Sequence, residues 1–508
     1  MRLAPAAAVA LPVLAAHAAP LAEPTCKDTE AVILGAGVAG LTAAQTLQDK
    51  GIRDFLVLEA RNETGDRLYS HEFAGHTVEL GANWVHGPGK ENGNTNPMWT
   101  MVKKAGLNNV ETQNDEHVVY PADKAEKINA ALHSAGEATE KVFEDAIKLL
   151  TQNLEDRTYR AGQRLYGWDP IKTDPAQQLA DWWYWDWGAA SPPEMHSEVF
   201  GAISDIATYQ YFSEEDQFVC DKSGFVQALR HNVSAILDRL LLNNQVTQIQ
   251  HDANGVTVTS SDHGCVKAKY AIVTFSLGVL QKGHVKFDPP LPAWKAQGIA
   301  GFEMATYTKI FLKFPTSFWD QEKFILWADP HVRGNYPVFQ PLNLKGLYEG
   351  SNILVATVTG ECAYRVESQG PEATKKEIYE ILTQMYYDRY VTYPEEIYYA
   401  TWSQYDWSYG SYSFWPASTS LQEHQNLRAN VDRVFFAGEA TSQEFFGYLH
   451  GAYYEGKHVA EFLARCINTP GATWCDQTNY EVLTGVTPYD LYNPENGWYF
   501  TGNGVPGN

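Results

Sequence analysis

The sequence predicts an α/β chain of mixed α+β character, built on a Rossmann-like βαβ unit and carrying more than one domain. Three observations predict it. Residues 30–59 run as a short apolar stretch, a glycine turn, an amphipathic stretch, a glycine stop and a second apolar stretch. A further apolar stretch ending in glycine, Val434-Phe435-Phe436-Ala437-Gly438, stands far down the chain. A length of 508 residues exceeds what one ordinary core organises, so a second domain is expected.

The elements follow in order. Arg2 precedes an apolar run from Leu3 to Ala16, and Ala16-His17-Ala18 fits a small-x-small cleavage site. Residues 1–18 therefore read as a signal peptide, and the protein as secreted, to the extracellular space or cell wall. Glu30 to Leu34 predict a strand, Ala39 to Lys50 a helix stopped by Gly51, and Phe55 to Leu58 a second strand ending at Glu59. Residues 122–153 have helical periodicity and many charges, as surface helices do. Residues 182–187, Trp-Trp-Tyr-Trp-Asp-Trp, form an aromatic cluster. Val246–Ile249 and Val256–Thr259 alternate as a hairpin around Asn254-Gly255. Ile272-Val273 reads as a buried strand, and residues 307–314 alternate as another. A helix is expected from Gly451 to Cys466, then an irregular tail over 467–508, rich in Gly, Pro, Asn and Tyr.

Composition narrows the function classes. At 44% hydrophobic the chain is not mostly disordered. Its net charge of −23 repels nucleic acid phosphates and anionic lipid and attracts cations, so no nucleic acid or membrane partner is expected. That charge also speaks for a monomer. No stretch after the signal is apolar enough to span a bilayer. The six cysteines contain no C-x-x-C pair, so no metal site is expected. Disulfides fit an oxidising compartment, and Cys466 with Cys475, flanking Pro470-Gly471, is the first bridge expected. Asn62-Glu63-Thr64 and Asn232-Val233-Ser234 are glycosylation sequons.

Gly35-Ala36-Gly37-Val38-Ala39-Gly40 is G-x-G-x-x-G between strand and helix. Gly35 permits the turn, Gly37 lets backbone approach a pyrophosphate, and Gly40 lets the helix pack on the sheet. Glu59, about 20 residues on, is placed to accept from ribose hydroxyls. The pattern by itself suits NAD or FAD. The residues after Glu59 separate them: Glu59-Ala60-Arg61-Asn62-Glu63-Thr64-Gly65-Asp66-Arg67 resembles the flavoprotein stretch E-A-x-x-x-x-G-G-R, with Asp66 where the second glycine is usual. In that pattern the arginine, here Arg67, turns onto the pyrophosphate. Phe435-Phe436-Ala437-Gly438-Glu439-Ala440-Thr441 is similar to the second flavin motif, in which Gly438 and Glu439 approach the cofactor.

With Glu79 to Gly87 (ELGANWVHG), Ser276 to Leu280 (SLGVL), Tyr307 to Phe314 (YTKIFLKF) and Gly447 to Ala452 (GYLHGA), the chain resembles the flavin-containing amine oxidase family over residues 30–466. Within it the likeness is strongest to polyamine oxidases. The resemblance implies a discontinuous FAD-binding domain (28–90, 217–285 and 425–466). Interleaved with it is a substrate domain of mixed sheet flanked by helices (91–216 and 286–424). It implies oxidation of polyamines or their N-acetyl derivatives, with hydride passing from the carbon beside nitrogen to flavin N5. The imine hydrolyses to an aldehyde and O2 is reduced to H2O2. The alternative is an oxidase of another amine: a monoamine, a secondary-metabolite amine or an L-amino acid.

The resemblance also assigns residues. Lys309 matches the lysine that holds a water against flavin N5, although Lys313 shares its strand face. Tyr412 and Tyr448 match the aromatic pair before the flavin, where cation–π attraction steers an amine. Trp402 matches a tryptophan near the flavin ring, and Val246 a valine whose backbone meets the adenine. Ser411 stands where monoamine oxidases carry a tethering cysteine, so the FAD is expected to be non-covalent. His86 occupies a position that is glutamate in plant polyamine oxidases and histidine in animal ones, and suits an ammonium acceptor. A second tunnel carboxylate of the plant enzymes falls at Gly188, leaving Asp181 or Asp186 as substitutes. An amino-acid oxidase needs an arginine clamp, for which Arg365 and Arg389 are the candidates.

Overall fold

A computed structural model describes residues 26–90, 93–112, 116–152, 154–261, 264–476, 500–501 and 505–506. The expected signal peptide and most of the tail lie outside these.

The larger sheet has eight strands. Lys27–Leu34 lies at its centre, parallel on one side to Phe55–Leu58 and on the other to Gly264–Val273. Val434–Phe436 joins in parallel with the end of Gly264–Val273. The strands entering this core read as continuous apolar runs because both faces are covered; Val434–Phe436 is wholly buried. The hairpin forms as expected, Val246–His251 against Val256–Ser260, its turn held by the Asp252 carboxylate accepting from the amides of Asn254 and Gly255.

These parallel strands present their carboxyl ends on one edge. There the chain places Gly35, Glu59, Thr274 and Gly438, and such an edge is where open α/β sheets bind ligands. The helix Val38–Asp49 packs against the long C-terminal helix Leu449–Asn468, where a Cβ on Gly456 would fall 2.2 Å from the Ala39 carbonyl. Small residues at the crossing bring the two ends of the sequence together.

The second sheet has six strands, with Tyr307–Lys313 between Ile353–Thr359 and Glu396–Tyr399. Ile353–Thr359 is buried at every residue. A three-stranded sheet sets Trp84–His86 and Asn109–Thr112 on either side of Asp216–Val219. Residues 125–151 form one long helix rather than several surface helices. Ile128, Leu132, Ala135, Val142 and Leu149 bury one face of it, while its charges cover the other. The aromatic cluster is a π turn, Trp182–Asp186, a form that recurs at functional sites.

Two disulfides are present. Cys466–Cys475 is the one expected from proximity. Cys26–Cys265 ties the chain before the central strand to the neighbouring strand, across 239 residues of sequence that gave no hint of it.

Candidate active site

The cradle is shaped by close approach. Gly35 has φ +116°, and a Cβ there would stand 2.5 Å from the Thr274 hydroxyl. A Cβ on Gly40 would stand 2.0 Å from the Gly35 carbonyl, so only glycine allows the helix to begin so near the strand. Gly37 caps the helix without a side-chain hydrogen bond, and the first turn has no acidic residue. An anion such as a pyrophosphate suits those amides. The Glu59 carboxylate, 7% exposed, accepts from the amides of Ala36 at 2.7 Å and Arg61 at 3.0 Å. Burial raises its pKa above the ordinary value, and these amides act against that rise. Val246 is buried beside this strand end, since the amide of Asn244 donates to the Glu59 carbonyl.

Asp66 takes the glycine position of the motif at φ +54°, a conformation that aspartate tolerates better than most residues. Its carboxylate meets Arg67 Nε at 3.1 Å. Arg67 Nη1 donates to Glu439 at 2.8 Å and to the Ser411 carbonyl at 3.3 Å; Nη2 has no hydrogen bond among the described residues. Glu439 reaches further. It accepts from the Ser413 hydroxyl at 2.6 Å and from the Gly447 amide at 2.9 Å. One buried carboxylate thus joins the first flavin motif to the segments carrying Tyr412 and Tyr448. A narrow crevice lined by Arg67, Phe275, Gly438 and Glu439 runs beside it.

Trp402 is buried edge-on to Tyr69 and Trp407, two mutually perpendicular rings that both lie against the Arg61 guanidinium. Ser411 Oγ accepts from the Tyr307 amide at 2.8 Å, locking the segment before Tyr412 to the Lys309 strand.

Lys309 and Lys313 do share a strand face, but their surroundings differ. Lys313 Nζ donates to the Ser351 carbonyl. Lys309 is 6% exposed, and its Nζ donates to the Gly81 carbonyl at 2.6 Å and to Asn83 Oδ1 at 3.0 Å. Burial pushes its pKa down to about 7, against the pull of the Glu79 carboxylate. Glu79 is itself buried, held by Ser70 and the Phe225 amide.

Tyr412 and Tyr448 come together. A Cβ on Gly447 would lie 3.5 Å from the Tyr412 ring, and the Tyr412 hydroxyl donates to the Gly188 carbonyl at 2.7 Å. His86 stands edge-on to Tyr448, ring centres 5.4 Å apart. Its Nδ1 lies 3.1 Å from both Tyr209 OH and Asp216 Oδ1. Burial lowers the His86 pKa, but Asp216 and Asp205 outweigh it, so the imidazole titrates above its ordinary value. Asp205, Tyr209 and Asp216 were not found by sequence reasoning. Asp216 is the strand-register partner of His86, a pairing that leaves no local motif.

Asp181 and Asp186 are not substitutes for a carboxylate at Gly188. Arg160 and Arg333 bind Asp181 at 2.6–2.7 Å, and Arg333 binds both oxygens of Asp186 at 2.7 Å. Their charge is spent on neighbouring guanidinium groups. Arg365 and Arg389 likewise pair with Glu377 and Asp320, each at 2.6 Å. At Gly188 a Cβ would meet open space.

Residues 38–183 and 194–463 match the family model described as flavin containing amine oxidoreductase. The chain belongs to the flavin-containing amine oxidoreductase family. This amine oxidase is 35% identical over 475 residues to polyamine oxidase 1 of Zea mays, covering 89% of this chain and 93% of that one. It is also 35% identical over 445 residues to polyamine oxidase 7 of Oryza sativa subsp. japonica, covering 84% and 92%. In fold it is similar to putrescine oxidase bound to putrescine, at TM-score 0.67 and 18% identity, over 87% of this chain and all of that one. The cofactor of the oxidase is FAD, which the glycine cradle, Glu59 and the uncapped helix fit. No cluster of His, Cys, Asp and Glu suited to a metal occurs among the described residues.

Proposed function

We propose that the enzyme oxidises polyamines such as spermine and spermidine, or their N-acetyl forms, at a carbon next to nitrogen. The products are an imine, hydrolysed to an aldehyde, and H2O2 from O2. The observation that carries this reading is the aromatic pair Tyr412 and Tyr448 backed by His86, Asp205 and Asp216. Aromatic faces and carboxylates attract cationic amines, and the two candidate clamp arginines, Arg365 and Arg389, are already paired, which disfavours a substrate carboxylate.

Bound FAD supplies the two-electron acceptor, held without a covalent tether because Ser411 stands at the tethering position. The chain does the rest. Tyr412 and Tyr448 flank the amine and exclude water. Neutral Lys309 donates both protons, to Gly81 and Asn83, which leaves its lone pair free to hold a water or take a proton at Nζ. The two disulfides are consistent with secretion into an oxidising compartment. A monomer accords with the −23 charge.

A peroxide assay over spermine, spermidine, their N-acetyl forms, monoamines and L-amino acids, with the aldehyde identified, tests the reading. Turnover of polyamines is expected. Turnover of L-amino acids alone overturns it.

A further inference from the structure

Asp205 lies on the helix Glu198–Tyr211, which is latched to the segment carrying Tyr448 on both sides of that aspartate. Ser204 Oγ donates to the Phe446 carbonyl at 3.3 Å, and Thr208 Oγ1 lies 3.2 Å from His450 Nε2. These contacts hold Asp205 in front of Tyr448, whose hydroxyl donates to Asp205 Oδ1 at 3.2 Å. The other carboxylate oxygen has no partner among the described residues, and the side chain is only partly buried. It is therefore a half-buried acceptor within reach of the site, with no lysine or arginine partner among the described residues. The groups facing it are Tyr448, His86, Asp216, Tyr159 and, one turn along its own helix, Tyr209; His450 stacks on Tyr448. Two carboxylates and one imidazole leave a net negative charge even when His86 is protonated. Gly188, by contrast, offers no charge beside Tyr412.

We propose that Asp205 is the specificity-determining carboxylate of this oxidase, accepting the second, non-reacting ammonium of an extended di- or polyamine through its free oxygen. The inference rests on the proposed polyamine reading and adds where the second charge is bound. Burial pushes the Asp205 carboxyl up to about 6, against its bond from Tyr448 and the charge of His86, so a cation arriving there relieves a disfavoured anion.

The experiment compares wild type with Asp205→Asn and Asp205→Glu. It measures KM and kcat for spermidine and for a monoamine with no second ammonium, from pH 5 to 9. In Asp205→Asn, KM for spermidine is expected to rise about 10- to 100-fold, the loss of a desolvated charge pair, and far more than KM for the monoamine. Asp205→Glu is expected to recover part of the loss. In wild type, KM for spermidine is expected to rise as pH falls through about 6, a limb absent from Asp205→Asn. Tyr448→Phe keeps the carboxylate and is expected to keep the preference for spermidine. If wild type turns over spermidine but KM and its pH limb are unchanged in Asp205→Asn, the inference fails alone. It fails too if Tyr448→Phe reproduces the loss, since Asp205 then only positions that ring. If wild type oxidises no di- or polyamine, the proposed function fails and this inference with it.

Discussion

A lysine deprived of water by burial, with a carboxylate near but not touching, is a residue whose protonation chemistry can use. Lys309 is such a group, and its position fixes a prediction. Its folded pKa is lowered to about 7, so Nζ is neutral above that pH and charged below it. The rate of flavin bleaching by substrate in single turnover is expected to rise as pH passes upward through about 7. Lys309→Met should slow that bleaching, or the later return of colour in air, by about 100-fold or more, and remove the limb, with FAD still bound. Unchanged turnover in this variant removes Lys309 from the mechanism. Lys313, four residues on, shares the face but touches only a carbonyl at the strand end. Alternation alone could not separate the two lysines. What separates them is the Gly81 carbonyl and the Asn83 side chain, delivered from another part of the chain.

Between elements, the cofactor cradle was legible in the sequence and the acidic wall of the site was not, for a physical reason. The cradle is carried by a six-residue motif: Gly35 holds a positive φ, Gly37 stands at the helix start, and a Cβ on Gly40 would strike the Gly35 carbonyl. The wall is assembled at long range. His86 meets Asp216 across 130 residues and Tyr448 meets Asp205 across 243. Strand register and helix latching bring them together, and neither leaves a spacing to read. Glu439 joins both kinds of structure. It was read as a cofactor contact, yet it also clamps Arg67, Ser413 and Gly447. Glu439→Gln removes the anion and leaves Arg67 with Asp66 as its one carboxylate partner. FAD affinity is expected to fall about tenfold by fluorescence titration, and Tm by about 5 °C, because three segments lose their common anchor. A variant that binds FAD as wild type does would confine Glu439 to packing.

At the scale of the whole molecule, the two sheets depend on a chain that crosses between them repeatedly. The helices Val38–Asp49 and Leu449–Asn468 close that loop by packing together, and the Cys26–Cys265 bridge fastens its beginning. The net charge of −23 surrounds a site whose proposed substrate is a polycation. Screening shortens the reach of that field to about 8 Å at physiological salt. kcat/KM for spermine is therefore expected to fall severalfold between 10 and 300 mM salt, and kcat/KM for a monoamine to fall less. Equal slopes would return the charge to a solubility role. Within this frame Gly188 has a consequence of its own. It sits in a short helical turn, its backbone is unstrained, and the room beside it is vacant. Every glycine codon lies one base from a codon for aspartate or glutamate. A carboxylate can therefore arrive beside Tyr412 by a single mutation, with no neighbour to displace. The substrate range of this enzyme is in that sense evolutionarily close at hand, open to change at a position that folding does not defend.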